Sequence, residues 1–432
     1  MDDELDRQIE RSLRNARLYQ APEGLRRALG PRAEGLSRRR PSLAIGRGLA
    51  GLAATAVLAA ALLVFVVSRS ANLPSSSDGR LAWATAARPP AAQIVTQPVV
   101  VGDGLVVLTS DGRASGLGDV SVSVWSSADG SSWSRLSAPG AISEAGRSVS
   151  IAEMTSDGHG GLIAGGVTAV ASDPTLALEA SIWRSADGRT WSQSGVDHAD
   201  GASIAGLASG PDRLVAVGLS QSGGSGASAL AWYSSDGVTW QAASVSDSDG
   251  CSMLAVAWWQ GEFVAIGSGI SGAAPAWTSS DGRHWTRAGS LPIGFEVRRL
   301  LAFGAGLVAV GDLNGSPASA MTNDTQVWTR GSMPVGGSET FANVRPKDAV
   351  VLNGRLFAFG YSAVGTAPEA TAAVASVAMV WISDDGLSWR LLPADATLAG
   401  EPSGAAVLGG RIVLATIGSP DSRVYAGTVQ GS

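Results

Sequence analysis

The chain has 432 residues, of which 45% are hydrophobic and only 16% are charged, and its formal net charge at pH 7 is −6. Residues 1–47 carry 11 Arg against 7 acidic residues, a net of +4, and the remainder carries 20 basic against 30 acidic residues, a net of −10. An acidic main part excludes a nucleic-acid-binding protein, which needs a basic face. Because Cys251 is the only cysteine and there are three histidines, an intramolecular disulfide and a Cys/His zinc site are also excluded. We expect no cofactor and no metal.

Residues 1–42 are predicted to form a charged, helix-prone cytoplasmic tail. Leu5 and Ile9 begin an apolar series at helical spacing, and Pro22 suits the first turn of a second short helix. The stretch 21–29 resembles the Pro-x-x-Leu-Arg-like segment in the tails of bacterial membrane-tethered anti-sigma factors. The resemblance implies a cytoplasmic partner for residues 1–42, and a solvated tail without a partner is the alternative.

Residues 43–68 are predicted to form a transmembrane helix that acts as a signal anchor. Gly48–Val67 is uncharged and, at ~1.5 Å per residue, spans the ~30 Å of a bilayer hydrocarbon core. Arg38–Arg40 and Arg47 precede it, which places the N-terminus in the cytoplasm. A cleaved signal peptide is the alternative, but its apolar run is usually only ~7–15 residues long. Residues 69–77 are a flexible linker, and the rest is expected to lie outside the cell membrane.

Beyond the linker, a short phrase of the form W-x-S-x-D-G-x-x-W recurs five times, starting at Trp125, Trp183, Trp232, Trp277 and Trp381. A hairpin pattern precedes each copy: an apolar strand, a turn containing Gly, Asn or Asp, and a strand resembling Leu-Val-Ala-Val-Gly. The hairpin occurs seven times, at Ile94–Leu108, Ile151–Gly166, Ile204–Gly218, Met253–Gly267, Leu300–Gly311, Ala349–Gly360 and Ala405–Gly418. Each unit therefore predicts four strands.

The ends of the repeat array complement each other. One internal copy of the phrase, at Ala320–Trp328, is altered. At the C-terminal end, only one strand follows the seventh hairpin before the chain stops. The missing half of the phrase is found at Asp78–Trp83. A β-propeller closes its ring in this way and so protects its edge strands. We predict an all-β, seven-bladed β-propeller over residues 78–432, with about 52 residues per blade; six blades are the alternative.

The phrase resembles the Asp-box of the bacterial-neuraminidase-repeat family, which occurs on propellers of sialidases, sortilin-type receptors and photosystem-assembly factors. Here Asp and Gly are adjacent, whereas the family form has one more residue between them. The resemblance implies a structural role, with Asp accepting backbone hydrogen bonds in a turn, Gly taking the left-handed conformation and the second Trp packing between blades. Equal repetition argues against catalytic or metal-binding roles. The residues are Asp129, Gly130, Trp133, Asp187, Gly188, Trp191, Asp236, Gly237, Trp240, Asp281, Gly282, Trp285, Asp324, Trp328, Asp385, Gly386 and Trp389.

A candidate ligand site is predicted on the opposite face, where the loops between the fourth and first strands and between the second and third strands lie. An acidic pair of loops opposite basic pairs would form a polar pocket over the central channel, and solvated loop charges are the alternative. The candidate residues are Asp197, Asp200, Asp247, Asp249, Arg298, Arg299, Arg345, Lys347 and Asp348.

The predicted function is that of a single-pass membrane protein whose propeller acts as a non-catalytic binding or scaffold module for an extracytoplasmic protein or a glycan. A membrane-tethered sensor or anti-sigma-like regulator that signals through the tail is one alternative. A glycosidase or sialidase-like hydrolase is the other. A sialidase needs an activated Tyr with a Glu partner, and Tyr361 is the only Tyr expected in a loop, with no Glu assignable to it. We therefore predict that the chain is not an enzyme.

Overall fold

The computed structural model describes most of the chain beyond the linker. The predicted tail, membrane helix and linker, residues 1–77, lie outside the described residues. Among the residues it does describe, no helix is long and apolar enough to span a membrane. The described residues are 80–430 apart from 88, 90–92, 95, 111–121, 138–141, 143–146, 171–177, 221–226, 271, 336–341, 365–374, 394, 396–397 and 418–421.

The described part of the chain is built from β-strands joined by turns. In chain order the strands are β1 Arg80–Ala86, β2 Gln93–Ile94, β3 Val99–Val101, β4 Gly104–Ser110, β5 Val122–Ser127, β6 Ser134–Arg135, β7 Arg147–Ser156, β8 Leu162–Val170, β9 Leu178–Ser185, β10 Ser192–Gln193, β11 Gly195–Val196, β12 Ala202–Ser209, β13 Leu214–Ser220, β14 Ser228–Ser234, β15 Thr239–Ala242, β16 Ser244–Val245, β17 Cys251–Trp259, β18 Glu262–Gly269, β19 Ala274–Ser279, β20 His284–Leu291, β21 Phe295–Phe303, β22 Gly306–Leu313, β23 Ser316–Thr322, β24 Thr329–Ser332, β25 Ala342–Leu352, β26 Arg355–Val364, β27 Ala375–Ser383, β28 Trp389–Leu391, β29 Glu401–Leu408, β30 Arg411–Ile417 and β31 Arg423–Gln430.

The strands form seven sheets, which confirms the prediction of an all-β, seven-bladed propeller. Blade 1 is β2–β6, blade 2 β7–β10, blade 3 β12–β15, blade 4 β17–β20, blade 5 β21–β24 and blade 6 β25–β28. Blade 7 combines β29–β31 with β1. The first strand of each blade contacts the first strands of its two neighbours, from β3 through β7, β12, β17, β21 and β25 to β29 and back to β3. These seven inner strands surround the central channel.

The N-terminal strand closes the ring. β1 pairs with β31 in antiparallel register, with Trp83 opposite Gly427. A Cβ on Gly427 would lie 2.6 Å from the Trp83 indole, so the glycine leaves room for that ring. Trp83 also packs edge-on against Phe359 of blade 6, with the ring centroids 6.2 Å apart. The closing strand is thus held by hydrogen bonds within blade 7 and by an aromatic contact with blade 6.

Buried tryptophans join neighbouring blades. Trp285 of blade 4 is 2% exposed and shares a core cluster with Val215 and Val217 of blade 3. Trp389 of blade 6 packs in the same way with Val308 of blade 5. A Trp that buries ~150–250 Å² contributes at most about 4–6 kcal/mol at ~25 cal/mol per Å². The second Trp of the repeated phrase is therefore a main source of adhesion between blades.

The turn between the third and fourth strands is shaped by the Ser, Asp and Gly of the phrase. In blade 3, the Ser234 hydroxyl donates to Asp236 Oδ1 over 3.0 Å and accepts the N–H of Gly237 over 2.9 Å. Asp236 Oδ1 also accepts the N–H groups of Val238 and Thr239, at 2.8 and 3.0 Å. These bonds lower the pKa of Asp236, the one from Thr239 most of all.

The altered copy keeps this hydrogen bonding without its glycine. Thr325 occupies the glycine position with a φ of 63°, a conformation that is strained for a β-branched residue. Thr322 and Asp324 still make the same contacts, since the Thr322 hydroxyl accepts the N–H of Thr325 over 2.9 Å. Trp328 still donates its indole N–H to the Thr325 carbonyl over 3.2 Å. The turn thus depends more on the hydroxyl and the carboxylate than on the glycine.

Candidate functional site at the mouth of the channel

A β-bulge recurs at one position of the inner strands. The register shifts between Ile151 and Glu153 in β7, between Val297 and Arg299 in β21, and at the matching place in four further inner strands. A bulge lets neighbouring residues turn toward the same side, and here Arg298 and Arg299 both line the channel.

The bulge explains the glycine that ends the Leu-Val-Ala-Val-Gly strand. An added Cβ would lie only 1.5–2.3 Å from a carbonyl oxygen of the inner strand, so no side chain fits beside the bulge. The glycines are Gly166, Gly218, Gly267, Gly311 and Gly360.

The bulges surround a cavity of about 170 Å³ on the propeller axis, to which all seven blades contribute. Its charged lining residues are Glu153 from blade 2, Arg298 and Arg299 from blade 5, and Lys347 from blade 6. Blades 3 and 4 contribute small or apolar residues, namely Ala205, Leu254, Ala255 and Val256. The cavity, hereafter the channel pocket, thus has one charged side and one apolar side.

Arg299 links blades across the channel. Its Nη1 donates to Gln97 Oε1 and to Glu153 Oε1, both over 3.2 Å. Its Nε lies 3.3 Å from Asp348 Oδ1 in the neighbouring blade. One guanidinium therefore connects blades 1, 2, 5 and 6.

The two carboxylates that hold Arg299 are also bound by backbone groups. Glu153 Oε2 accepts the N–H of Leu207 over 2.9 Å, and Asp348 Oδ2 accepts the N–H of Ala405 over 2.7 Å. Burial raises the pKa of Glu153 and of Asp348, and the charge of Arg299 opposes that rise. Perturbed carboxyl groups in a cavity are typical of functional sites.

Two further cations line the pocket. Arg298 Nη2 contacts Glu296 at 2.9 Å and Asp312 at 3.5 Å, and its side chain is 33% exposed. Lys347 Nζ contacts Glu401 at 2.6 Å, and its side chain is 34% exposed. The Arg299 side chain is 32% exposed, so all three cations of the pocket are partly open to solvent.

Tyr361 does not lie in a loop as predicted from the sequence. It lies within β26, opposite Arg345 of β25, and its ring centroid is 5.4 Å from Lys347 Nζ. The hairpin extends further than the sequence pattern indicated, because the alternating residues after Gly360 continue the pairing with β25 and β27.

The structure separates the candidate ligand residues into two groups. Arg298, Arg299 and Lys347 line the channel pocket, and Asp348 supports it. Arg345 is exposed on β25 and does not line the pocket.

The four acidic candidates lie on exposed loops between blades. The Asp197 carbonyl accepts the indole N–H of Trp232 over 2.7 Å. Asp200 forms a backbone bridge with Glu179, and Asp249 forms one with Ser228. Asp247 is exposed and has a φ of 50°. None of the four lines the pocket, so the acidic residues there are not the loop pair expected from the sequence. A ligand-binding role for these four residues stays a prediction.

The sequence analysis did not include Glu153 and Gln97 among the candidate site residues. An alignment of the seven hairpins would have placed Glu153 level with Arg299 and Asp348, because all three follow the same bulge. Within the described ranges, no group of three or more His, Cys, Asp or Glu residues is placed to hold a metal ion.

Comparisons with known proteins find similar solved structures but no matching family. No protein family matches the sequence, and no curated protein matches it. Among solved structures, the chain is similar to a phage phi92 endosialidase, with 12% identity and a TM-score of 0.48 over 82% of this chain and 69% of that one. It is also similar to a Trypanosoma rangeli sialidase mutant displaying trans-sialidase activity (14% identity, TM-score 0.46, 73% of this chain and 59% of that one). The Trypanosoma rangeli sialidase matches at 11% identity and a TM-score of 0.44, over 78% of this chain and 55% of that one.

These matches correct one prediction. The sequence led us to expect a protein without enzymatic activity, and the similar solved structures are of sialidases and an endosialidase. That expectation is therefore withdrawn. At 11–14% identity and TM-scores below 0.5, the matches assign no activity to this chain.

Proposed function

We propose that this chain is a membrane-anchored extracytoplasmic protein whose propeller binds one small polar group, such as a single sugar unit of a glycan, in the channel pocket. The observation that carries the proposal is the convergence of Glu153, Arg298, Arg299 and Lys347 on one cavity. The anchor is proposed from the uncharged segment Gly48–Val67 and the arginines before it.

The charges are more easily explained by binding than by stability. Burying ion pairs is costly, and apolar side chains of similar volume are often as stabilising or more so. Five of the seven blades nevertheless place a charge or a side-chain amide or hydroxyl at the pocket, and blades 3 and 4 place only Ala, Leu or Val there. The channel is thus lined with groups that cost folding energy and can bind a ligand.

The chemistry of the pocket suits a ring that carries several hydroxyl groups. Arg298 and Lys347 donate hydrogen bonds, while Glu153 accepts them. Leu254 and Ala255 line the side opposite the cations, where one face of a sugar ring can lie. A cavity of about 170 Å³ is smaller than the ~300–1,000 Å³ of drug-sized sites, so it fits one ring rather than a long chain.

The test is calorimetric titration of the purified protein with saccharides found on a glycan array. Arg298→Ala and Lys347→Ala should each weaken binding about ten- to a hundredfold, since a hydrogen bond to a charged group is worth roughly 1.5–3 kcal/mol. Arg345→Ala is the matched control, because Arg345 is exposed on the same strand as Lys347 but lies outside the pocket. Unchanged affinity in both pocket variants would refute the proposed site.

A further inference from the structure

The channel pocket and the side chains bonded to it hold more acid than base. Three cations meet there, Arg298, Arg299 and Lys347. Five carboxylates lie within 3.5 Å of those cations, which gives a net charge of −2 when all are ionised. The five are Glu153, Glu296, Asp312, Asp348 and Glu401.

Each cation already has a negative partner, so none is a free receptor for an anion. Arg299 lies between two carboxylates at 3.2 and 3.3 Å, Arg298 contacts two at 2.9 and 3.5 Å, and Lys347 contacts one at 2.6 Å. An anionic ligand would have to displace these partners against an excess of like charge. A positively charged ligand would instead reduce that excess.

A second observation is a serine at the pocket whose hydroxyl group is unpaired. Ser403 lines the cavity, and its hydroxyl oxygen is buried without a hydrogen bond to any described residue. Buried hydroxyl groups almost always have a partner. Ser403 lies two residues after Glu401 at the bulge of β29, so an unused hydroxyl and a carboxylate come from the same short stretch.

We propose that the ligand of the channel pocket is an amino sugar that carries a free ammonium group. This inference rests on the proposed function and names its ligand class. The ammonium group is compact and has three donors, which suits the carboxylates of Glu153 and Glu401 and the hydroxyl of Ser403. Arg298 and Lys347 then donate to the ring hydroxyls, while Leu254 lies against the ring.

The experiment compares three probes of one ring shape with the purified full-length protein. Glucosamine, glucose and glucuronate are titrated calorimetrically in the same buffer, at one pH and one salt concentration. We expect glucosamine to bind about tenfold more tightly than glucose, and glucuronate to bind most weakly. The preference for glucosamine should shrink as salt is added, because screening weakens the attraction.

A charge-neutralising variant tests the cause of the preference. Glu401→Gln should lower the affinity for glucosamine about three- to tenfold, a range expected for losing one nearby charge, and leave that for glucose nearly unchanged. Glu179→Gln is the matched control, because Glu179 is similarly exposed, 31% against 33%, and pairs with Arg147 outside the pocket. This control variant should behave like the unmodified protein.

The possible outcomes separate the two proposals. Equal affinities for the three sugars, or tightest binding of glucuronate, would overturn the amino-sugar inference and leave a sugar-binding pocket. If no sugar binds, the proposed function and the inference both fail.

Discussion

The substitution Gly311→Ala tests the link between the repeated sequence and the pocket. Gly311 ends the second strand of blade 5, and a Cβ at this position would lie 2.0 Å from the carbonyl oxygen of Glu296. Real Cβ contacts are not closer than 3.0 Å, so β21 and β22 would have to separate by about 1 Å. That movement displaces the bulge that turns Arg298 and Arg299 into the channel.

The size of the effect follows from two costs. Overpacking of a close-packed site costs about 1–3 kcal/mol, and weakening one or two strand-to-strand hydrogen bonds costs about 0.5–1.5 kcal/mol each. The free energy of unfolding should therefore fall by about 2–4 kcal/mol. Saccharide affinity should fall as well, because the cations of the pocket move.

Urea denaturation followed by tryptophan fluorescence measures the stability change. The control is Gly195→Ala in β11, where an added Cβ has no atom within 4 Å. Gly195 also lacks a positive φ, so this control should be neutral or stabilising by up to about 1 kcal/mol. If Gly311→Ala differs from the unmodified protein by less than about 0.5 kcal/mol, the steric role assigned to the glycine is wrong.

Three further predictions concern the turns and the channel. Ser234→Ala should destabilise the propeller by about 1–2 kcal/mol, because it removes the hydroxyl that binds Asp236 and Gly237. The control Ser235→Ala alters an exposed neighbour and should change the stability little. Equal effects of the two variants in denaturation curves would contradict this role of Ser234. The lowered pKa of Asp236 means that its ionised form stabilises the fold above its unfolded-state pKa near ~3.9 and loses that contribution as pH falls below it. The thermal midpoint should thus drop as the pH falls below about 4, and it should drop less steeply in Asp236→Asn. An equal drop in that variant would refute the argument. Arg299→Met should lower the free energy of unfolding by about 2–4 kcal/mol, because two buried carboxylates lose their cation. The double variant Arg299→Met with Glu153→Gln should recover part of that loss in the same denaturation assay.

The sequence was sufficient to predict the propeller because its signals are local and repeated. The apolar alternation of a hairpin, the Asp-Gly turn and the half phrase ending at Trp83 are each contained in a short stretch of the sequence. Repetition then sets the number of blades, and the pairing of β1 with β31 closes the ring. The altered copy was recognisable because Asp324 and Trp328 keep their roles without the glycine.

The site was only partly predictable because its residues are far apart in the chain. Arg299 is separated from Glu153 by 146 positions and from Gln97 by 202, and only ring closure brings them together. Simple strand alternation would put Arg298 and Arg299 on opposite faces, and the bulge that places both at the pocket is not visible in the apolar pattern.

Loop position did not identify the residues that line the channel pocket. Asp197 was predicted as a ligand residue because it lies in a connection on the loop face. Its carbonyl accepts the indole N–H of Trp232, and its side chain does not line the channel pocket. Charged residues on inner strands, such as Lys347 and Asp348, turned out to lie closer to the cavity than those in the loops.

A crystal structure of the protein grown with a saccharide that binds in solution would test the central claim most directly. The account predicts one sugar ring in the channel pocket, in contact with Arg298, Lys347 and Glu153 and with its apolar face against Leu254. A sugar bound on the outer loops around Asp197 and Asp247, or on the face with the Asp-Gly turns, with only water in the channel, would contradict it.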